Sequence, residues 1–240
     1  MSIKLIIVNI GNTAVKVWLA EAKAQKALKI FPATKRGVLL AGSFAKSRKN
    51  PVVFFSVVPA LSSALRKTLP AALELENRDV PIRNLYKKQE SLGIDRLLAA
   101  FAAGEKYGRP VAVLDLGTAT TLNIVNRKGE FAGGLIMPGA PLFTEYLEKK
   151  TALLPKVRYG KPTGFEALDT EAAIRNGAYW GLSSLAEGVL RLAKKKFRAK
   201  TVLTGGFAPL LADSITAADV LDPSLAIYGA YLAAVKRIKI

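Results

Sequence analysis

Two glycine-containing loops of this sequence combine the residue types that bind phosphate. The first loop, residues 9–13, reads Asn-Ile-Gly-Asn-Thr and is followed by Lys16, and the second, residues 115–121, reads Asp-Leu-Gly-Thr-Ala-Thr-Thr. Glycine lets backbone N–H groups come close to a phosphate, and threonine hydroxyls add further donors. A carboxylate such as that of Asp115 can also hold a hydrated metal ion. A single loop of this kind also makes an ordinary hairpin turn, so the prediction of nucleotide binding rests on the pair.

A third candidate is the acidic and basic pair Asp95-Arg96, which follows Gly93. Aspartate is favoured near helix N-termini by the helix dipole alone, so a purely structural role stays open. The functional alternative is a general base beside an arginine that binds a carboxylate through two hydrogen bonds. The chain has no histidine and no cysteine, which excludes a histidine base, a thiolate nucleophile and a Cys/His zinc site. Proton transfer must therefore use a carboxylate, lysine, tyrosine or water.

Each of the two phosphate-type loops lies between two predicted strands. Residues 3–8 and 111–114 are apolar and β-branched, as buried strands are, and residues 15–19 and 122–125 follow with alternating patterns. This weak internal duplication predicts two similar α/β halves with a nucleotide cleft between their loops. The break at Gly-Arg-Pro, residues 108–110, places the boundary, so the predicted halves are 1–108 and 109–240. Helices are predicted over 62–68, 92–107, 170–197 and 225–235, with Thr170 as a helix N-cap, and further strands over 52–58 and 201–204.

Lysine and arginine outnumber aspartate and glutamate by 36 to 18, which gives a formal charge of +18. Such an excess predicts attraction to polyanions, but the densest basic runs, 46–49 and 194–200, are too short to indicate a nucleic-acid module. No apolar run is long enough for a transmembrane helix, so we expect no membrane partner. The absence of cysteine is typical of a cytoplasmic protein, and we predict that location.

The ordered set of these motifs resembles the type III pantothenate kinase family over almost the whole chain. The loops 9–13 and 115–121 resemble its two phosphate motifs, and Tyr86 with 93–96 resembles its pantothenate-binding stretch. The remaining matches are Ser56-Val57-Val58-Pro59, Gly133-Gly134, Pro138-Gly139, Thr170 with Ile174 and Gly177, and Thr204-Gly205-Gly206.

The resemblance implies a duplicated actin-like (ribonuclease H-like) α/β fold of the acetate kinase/Hsp70/actin superfamily. It also implies ATP-dependent phosphorylation of pantothenate to 4'-phosphopantothenate, the first step of coenzyme A biosynthesis, in a homodimer. Asp95 would be the catalytic base, Arg96 would face the pantothenate carboxylate, and Asp115 would bind a monovalent cation, K⁺ or NH₄⁺, besides the Mg²⁺ that accompanies ATP. Implied pantothenate contacts are Tyr86, Gly93, Ile94, Asp95, Arg96 and Thr170, the last reaching the neighbouring subunit's site. Implied ATP contacts are Asn9, Ile10, Gly11, Asn12, Thr13, Ala14, Val15, Lys16 and Thr118.

Two residues depart from the family pattern. Asn9 stands where the family has aspartate near the ATP-bound magnesium, and Gln89 stands where proline is common. A unit charge at about 4 Å is worth roughly 4 kcal/mol at an effective dielectric of about 20, so we expect Asn9 to reduce the rate. Asn9 and the +18 charge keep an alternative open: a weakened or inactive relative that acts as a transcriptional accessory or nucleic-acid-binding protein. A third reading treats Asn9 as an introduced change.

Overall fold

The structure, a computed structural model, describes residues 3–238 and divides into two compact units. The first unit runs to Lys106 and takes up the chain again at Ser224, and the second unit is Tyr107–Pro223. The sequence placed the boundary at 108/109, close to the first crossing point, but it assigned residues 224–240 to the second half. The described part of that segment packs instead with the first unit.

The first unit is built on a five-stranded sheet in the order β3-β2-β1-β4-β5. Its elements are β1 (Leu5–Ile10), β2 (Ala14–Ala20), β3 (Gln25–Pro32), α1 (Lys35–Lys46), β4 (Val52–Ser56), α2 (Pro59–Thr68), β5 (Leu73–Glu74) and α3 (Ile94–Tyr107). Strand β1 pairs antiparallel with β2 and parallel with β4. It is a buried central strand, since its apolar side chains from Leu5 to Val8 are almost completely inaccessible.

The second unit repeats this plan with the sheet order β10-β9-β6-β7-β8. Its elements are β6 (Val111–Leu116), β7 (Ala119–Val125), β8 (Phe131–Pro138), α4 (Ala140–Lys150), α5 (Thr170–Phe197), β9 (Lys200–Thr204), α6 (Ala208–Leu211) and β10 (Val220–Leu221). Strand β6 pairs antiparallel with β7 and parallel with β9, as β1 pairs with β2 and β4. The predicted N-cap Thr170 is wrong, because the Asp169 carboxylate accepts the Ala172 N–H at 2.8 Å and caps α5.

The last helix, α7 (Leu225–Ile238), belongs to the first unit although it follows the second in sequence. Gly229 lies directly against the carbonyl of Leu98 in α3, where a Cβ would collide with the backbone. Arg237 is bound at its other end, donating to Asp79 Oδ2 at 2.6 Å and to the Glu74 carbonyl at 2.9 Å. Because both contacts are tertiary, sequence order gave no indication of where this helix packs.

Candidate active site

Asp95 lies at the first turn of α3, and its carboxylate occupies space beside Gly93. Its Oδ1 accepts the Arg96 N–H at 2.8 Å, and the Arg96 N–H also lies 3.2 Å from the Gly93 carbonyl. A Cβ on Gly93 would come within 2.6 Å of the same Oδ1. The missing side chain therefore makes room for the carboxylate, which explains the Gly-Ile-Asp-Arg spacing.

The surroundings of Asp95 favour its neutral form. Burial raises the pKa of this carboxyl above its ordinary value, against the Arg96 N–H and the Arg96 charge, which lower it. A carboxylate with a raised pKa is a stronger base than an exposed one, and that suits proton abstraction from a hydroxyl. The position of Asp95 and its raised pKa are thus both compatible with a general base.

Arg96 and Tyr86, both predicted to bind substrate, are neighbours in the structure. The Arg96 guanidinium carbon lies 5.9 Å from the centre of the Tyr86 ring, within the range of a cation–π interaction. Arg96 is only 8% exposed, so its charge is little screened by water. Ile94 is buried as well, so its contribution to a ligand would come from its backbone.

Asn77 supports this segment, and the sequence analysis missed it. Its side-chain amide donates to the Leu92 carbonyl at 2.8 Å and to the Gln89 carbonyl at 3.1 Å. These two bonds hold the loop that leads into Gly93 and Asp95. An asparagine 18 residues before Asp95 carries no local signal for this role, which appears only when the loop folds back.

The loop 9–13 lies next to the Asp95 segment within the same unit. The Ile10 carbonyl accepts the Val57 N–H at 3.0 Å, and Val57 Cγ1 is 3.7 Å from the position that a Cβ on Gly93 would take. The end of β4 therefore connects the two. Asn9 stands opposite Lys16 across the β1–β2 ladder, which places an amide and an ammonium on one face.

Two of the residues predicted to contact ATP can do so through their backbone only. The side chains of Ile10 and Val15 are completely buried in the core of the first unit. Asn12 and Thr13 are exposed at the hairpin turn, where the Gly11 N–H donates to the Ala14 carbonyl at 3.0 Å. This turn offers polar side chains together with nearby backbone groups, as the sequence predicted.

In the second unit, Asp115 has the same position near the end of β6 that Asn9 has in β1. Its carboxylate packs against Gly205, which has a φ of +99° and could not carry a Cβ without striking Asp115 Oδ1. Residue Asp115 pairs with Thr121 and with Thr204 in the flanking strands. Two predicted features, the 115–121 loop and the turn at 204–206, are therefore brought together.

The oxygen groups around Asp115 fit a hard cation. Carboxylate, hydroxyl and carbonyl oxygens are the usual ligands of Mg²⁺ and K⁺, and Asp115 has the hydroxyl residues Thr121 and Thr204 as its partners in the two flanking strands. Between residues 3 and 238, no three acidic side chains cluster closely enough to form a metal cage. A cation here would therefore share Asp115 with hydroxyls, water and ligand phosphates, as Mg²⁺ commonly does.

Thr118 and Thr170 lie in different surroundings within the second unit. Thr118 is exposed in the loop after Asp115, and its carbonyl packs closely against Gly139, where α4 begins. Thr170, the first residue of α5, lines a groove of about 800 Å³ between α4 and α5. The other groove residues are Pro138, Leu142, Phe143, Tyr146, Leu147, Leu154, Ala173, Ile174, Gly177 and Ala178.

The chain is similar in sequence to one family of known proteins. The family model described as type III pantothenate kinase matches residues 5–192. Type III pantothenate kinase from Persephonella marina is 38% identical over 78% of this chain and 76% of its own length. The enzyme from Methylacidiphilum infernorum is 32% identical over 94% of this chain and 86% of its own. The one from Acidiphilium cryptum is 42% identical over a shorter alignment, 60% of this chain and 55% of the relative.

Solved structures with low sequence identity share the fold. A conserved protein of the Baf family of transcriptional activators from Campylobacter jejuni superimposes with a TM-score of 0.64 at 19% identity, covering 98% of this chain and all of the other. MreB 5 of Spiroplasma citri bound to AMPPNP gives 0.52 at 12% identity, with 99% and 98% covered. At these identities the likeness shows the fold alone. It confirms the predicted duplicated actin-like α/β fold, which ROK hexokinase from Thermus thermophilus shares at a TM-score of 0.50, 13% identity and coverage of 98% and 100%.

Proposed function

The chain belongs to the type III pantothenate kinase family and acts as an ATP-dependent pantothenate kinase in coenzyme A biosynthesis, and we propose that Asp95 is its general base. The observation that carries this assignment is the fit of the Asp95 carboxylate against Gly93, with its pKa raised by burial. In the reaction, the primary hydroxyl of pantothenate gives its proton to Asp95. The hydroxyl oxygen bonds to the γ-phosphorus of ATP, the bond to the bridging oxygen breaks, and ADP leaves.

Substrate positioning falls to the residues beside Asp95. Arg96 binds the pantothenate carboxylate, because a guanidinium forms two parallel hydrogen bonds with a carboxylate. Tyr86 keeps the guanidinium in place from one side, and Gly93 and Ile94 add backbone contacts. Phosphoryl transfer depends mainly on such positioning and on charge stabilisation, so a small number of fixed groups is sufficient.

The phosphates of ATP are assigned to polar loops. In the first unit we assign contacts to the hairpin from Asn9 to Lys16, whose exposed turn residues and Lys16 ammonium favour an anion. In the second unit we assign one to Thr118. Mg²⁺ would supply charge neutralisation at the phosphates, and a monovalent cation, K⁺ or NH₄⁺, would be held by Asp115, whose oxygen surroundings suit either.

A homodimer is proposed from the groove that contains Thr170. Its wall is apolar, and Leu142 and Tyr146 are 46% and 62% exposed, which is unusual for large apolar side chains at one place. A second copy that covers this wall would place Thr170 at the partner's substrate. Replacing Leu142 with aspartate should lower the dimer fraction in analytical ultracentrifugation, while an unchanged dimer would refute this interface. Leu192→Asp, a change of the same kind at a 68% exposed position of α5 outside the groove, is its control.

The base assignment is tested by Asp95→Asn. Removing a general base lowers kcat by about 10²- to 10⁴-fold, measured as ADP release with ATP, Mg²⁺, K⁺ and pantothenate. Asp213→Asn makes the same change at an exposed aspartate and should leave the rate unchanged. Full activity of Asp95→Asn would refute the assignment.

Two predictions concern the protein's location and its possible regulatory function. In the described part of the chain, no helix has the length and apolar character to cross a membrane, and the cytoplasmic location stays a prediction. The kinase relatives support the enzyme and not the regulatory alternative.

A further inference from the structure

A basic pocket lies at the end of the second sheet that is remote from Asp115. It opens beside the start of β6, where Val111 pairs with Val125 of β7 and with Lys200 of β9. Asp115 stands four residues further along β6, which is roughly 13 Å at the usual rise of a strand. None of the residues assigned above to the kinase reaction lines this pocket.

The pocket has a volume of about 440 Å³, within the range of small-ligand sites. Its lining is Pro110, Asn126, Arg127, Lys128, Glu130, Lys196, Phe197 and Arg198. Four of these eight residues are cations, and two, Pro110 and Phe197, are apolar; the Lys196 ammonium lies 5.4 Å from the centre of the Phe197 ring. A ligand with one negatively charged end and one planar apolar end would satisfy both parts.

The cations of the pocket are not neutralised from within. Glu130 is the acidic residue in the lining; it is 9% exposed, and its Oε2 accepts the Asn126 side-chain amide at 2.9 Å. Across residues 3–238, Arg127, Lys128 and Arg198 form no ion pair. Their charges therefore remain available to an anion.

The turn that carries Arg127 and Lys128 is held rigidly. The Asn126 side-chain oxygen accepts the N–H groups of Lys128 at 2.9 Å and Glu130 at 3.0 Å. Gly129, with a φ of +79°, has the Arg109 guanidinium where a Cβ would stand. Because the backbone of the turn is already ordered, the entropy lost on binding a ligand comes only from the side chains of its cations.

Arg198 stands at a strained position beside the same pocket. It ends α5 in the left-handed region, with φ 51° and ψ 38°, and its N–H donates to the Lys194 carbonyl. Glycine is the usual residue at such a helix end, and Arg198 instead places a guanidinium in the lining of the pocket. The helix dipole alone explains cations at the end of α5, Lys196 and Arg198, but that explanation does not cover Arg127 and Lys128 on the β7–β8 turn.

We propose that this pocket binds a phosphate-bearing ligand of nucleotide size, with the phosphate on Arg127, Lys128 and Arg198 and the planar base against Phe197 and Pro110. This is a second anion site, independent of the kinase reaction. The same chemistry occurs in a free mononucleotide and in a single-stranded polynucleotide, and binding of either identifies the source. It also gives part of the +18 charge a defined role.

The test measures binding of UMP by NMR chemical-shift titration and binding of a labelled oligo(dT) by fluorescence anisotropy. Both use the full chain with AMPPNP, Mg²⁺ and pantothenate in excess, so that the kinase site is filled. The variant R127Q/K128Q removes two charges from the pocket. The control K23Q/K26Q removes two exposed charges, one in the turn between β2 and β3 and one at the start of β3; this hairpin corresponds in the first unit to the one that carries Arg127 and Lys128.

We expect R127Q/K128Q to weaken binding about 10-fold or more, because hydrogen bonds to charged groups are the strong ones, whereas K23Q/K26Q binds as the parent does. Amide shifts at 126–130 and at Arg198 should accompany UMP binding. Kinase activity unchanged in both variants shows that the fold is intact. The proposal would be overturned if all three proteins bound both probes with equal affinity, or if both variants lost affinity equally. Failure of the parent protein to bind either probe at low salt would also overturn it.

Discussion

Replacing Gly93 with alanine is a direct test of how the first unit positions its base. The new Cβ would stand 2.6 Å from Asp95 Oδ1, whereas ordinary contacts begin near 3.4 Å. Gly93 does not have a positive φ, so alanine fits its backbone without strain. The main effect of the substitution is therefore to push the carboxylate away, by about 0.8 Å if the carboxylate alone moves.

The size of the effect follows from that displacement. A misplacement near 1 Å can cost about 10²-fold in rate, so we expect kcat to fall about 10- to 100-fold. The charge-assisted bond from the Arg96 N–H to Asp95 Oδ1, 2.8 Å long, must lengthen or change to the other oxygen. The folded state should lose only about 1 kcal/mol, since the atom that moves is the end of a flexible side chain.

The assay is steady-state ADP release with both substrates varied, together with thermal unfolding. Gly188→Ala is the matched control, because a Cβ there meets no atom within 4 Å and the residue lies inside α5. That variant should keep kcat and gain about 0.5–1 kcal/mol of stability, the ordinary difference between alanine and glycine in a helix. If Gly93→Ala kept the parent kcat, the close fit of Asp95 against residue 93 would not matter for catalysis.

Three further predictions concern pH, Asn9 and the cation. Because burial raises the pKa of Asp95, this base becomes protonated at a higher pH than an exposed aspartate, and kcat/KM should fall on the acid side at that higher pH. Arg96→Gln removes a charge that lowers this pKa, so the acid-side fall of kcat/KM should shift to a still higher pH, and KM for pantothenate should rise. An unchanged pH profile of kcat/KM would contradict this. Asn9→Asp should raise kcat about 10- to 10³-fold if the missing charge limits the reaction, and equal rates would show that it does not. Gly205→Ala should abolish activation by K⁺ in a titration, because its Cβ would collide with the Asp115 carboxylate and with the Leu116 carbonyl beside it; normal K⁺ activation would separate Asp115 from the cation site.

The elements that could be predicted from sequence are those whose own residues determine them. Strands β1 and β2 were predicted at 3–8 and 15–19 and occur at Leu5–Ile10 and Ala14–Ala20, because a buried run and an alternating run are local patterns. Gly134, which the sequence analysis identified only as a match to the family pattern, lies against the Leu122 backbone across the ladder. Strand β3 was not predicted from the sequence, because it is an edge strand with mostly exposed residues. It is stabilised by its pairing with β2.

The site shows the same division between local and tertiary information. Gly93, Asp95 and Arg96 are close in sequence, and their type and spacing predicted a base beside an arginine. The double hydrogen bond of Asn77 and the collision that reserves Gly205 for Asp115 join segments far apart in the chain. The sequence did not predict these supporting roles of Asn77 and Gly205, because no periodicity or motif connects them with their partners.

The repeated hairpins sharpen the meaning of Asn9. Asn9 and Asp115 are each the second-last residue of a central strand, but Asn9 faces Lys16 across its ladder and Asp115 faces Thr121. Across residues 3–238, Lys16 forms no ion pair. An aspartate at position 9 would partly neutralise this ammonium, whereas the amide leaves its full charge for a phosphate. Asparagine at position 9 therefore stabilises a metal ion less than aspartate would, but it leaves a stronger attraction for the phosphates. We expect Asn9→Asp to raise KM for ATP even where it raises kcat.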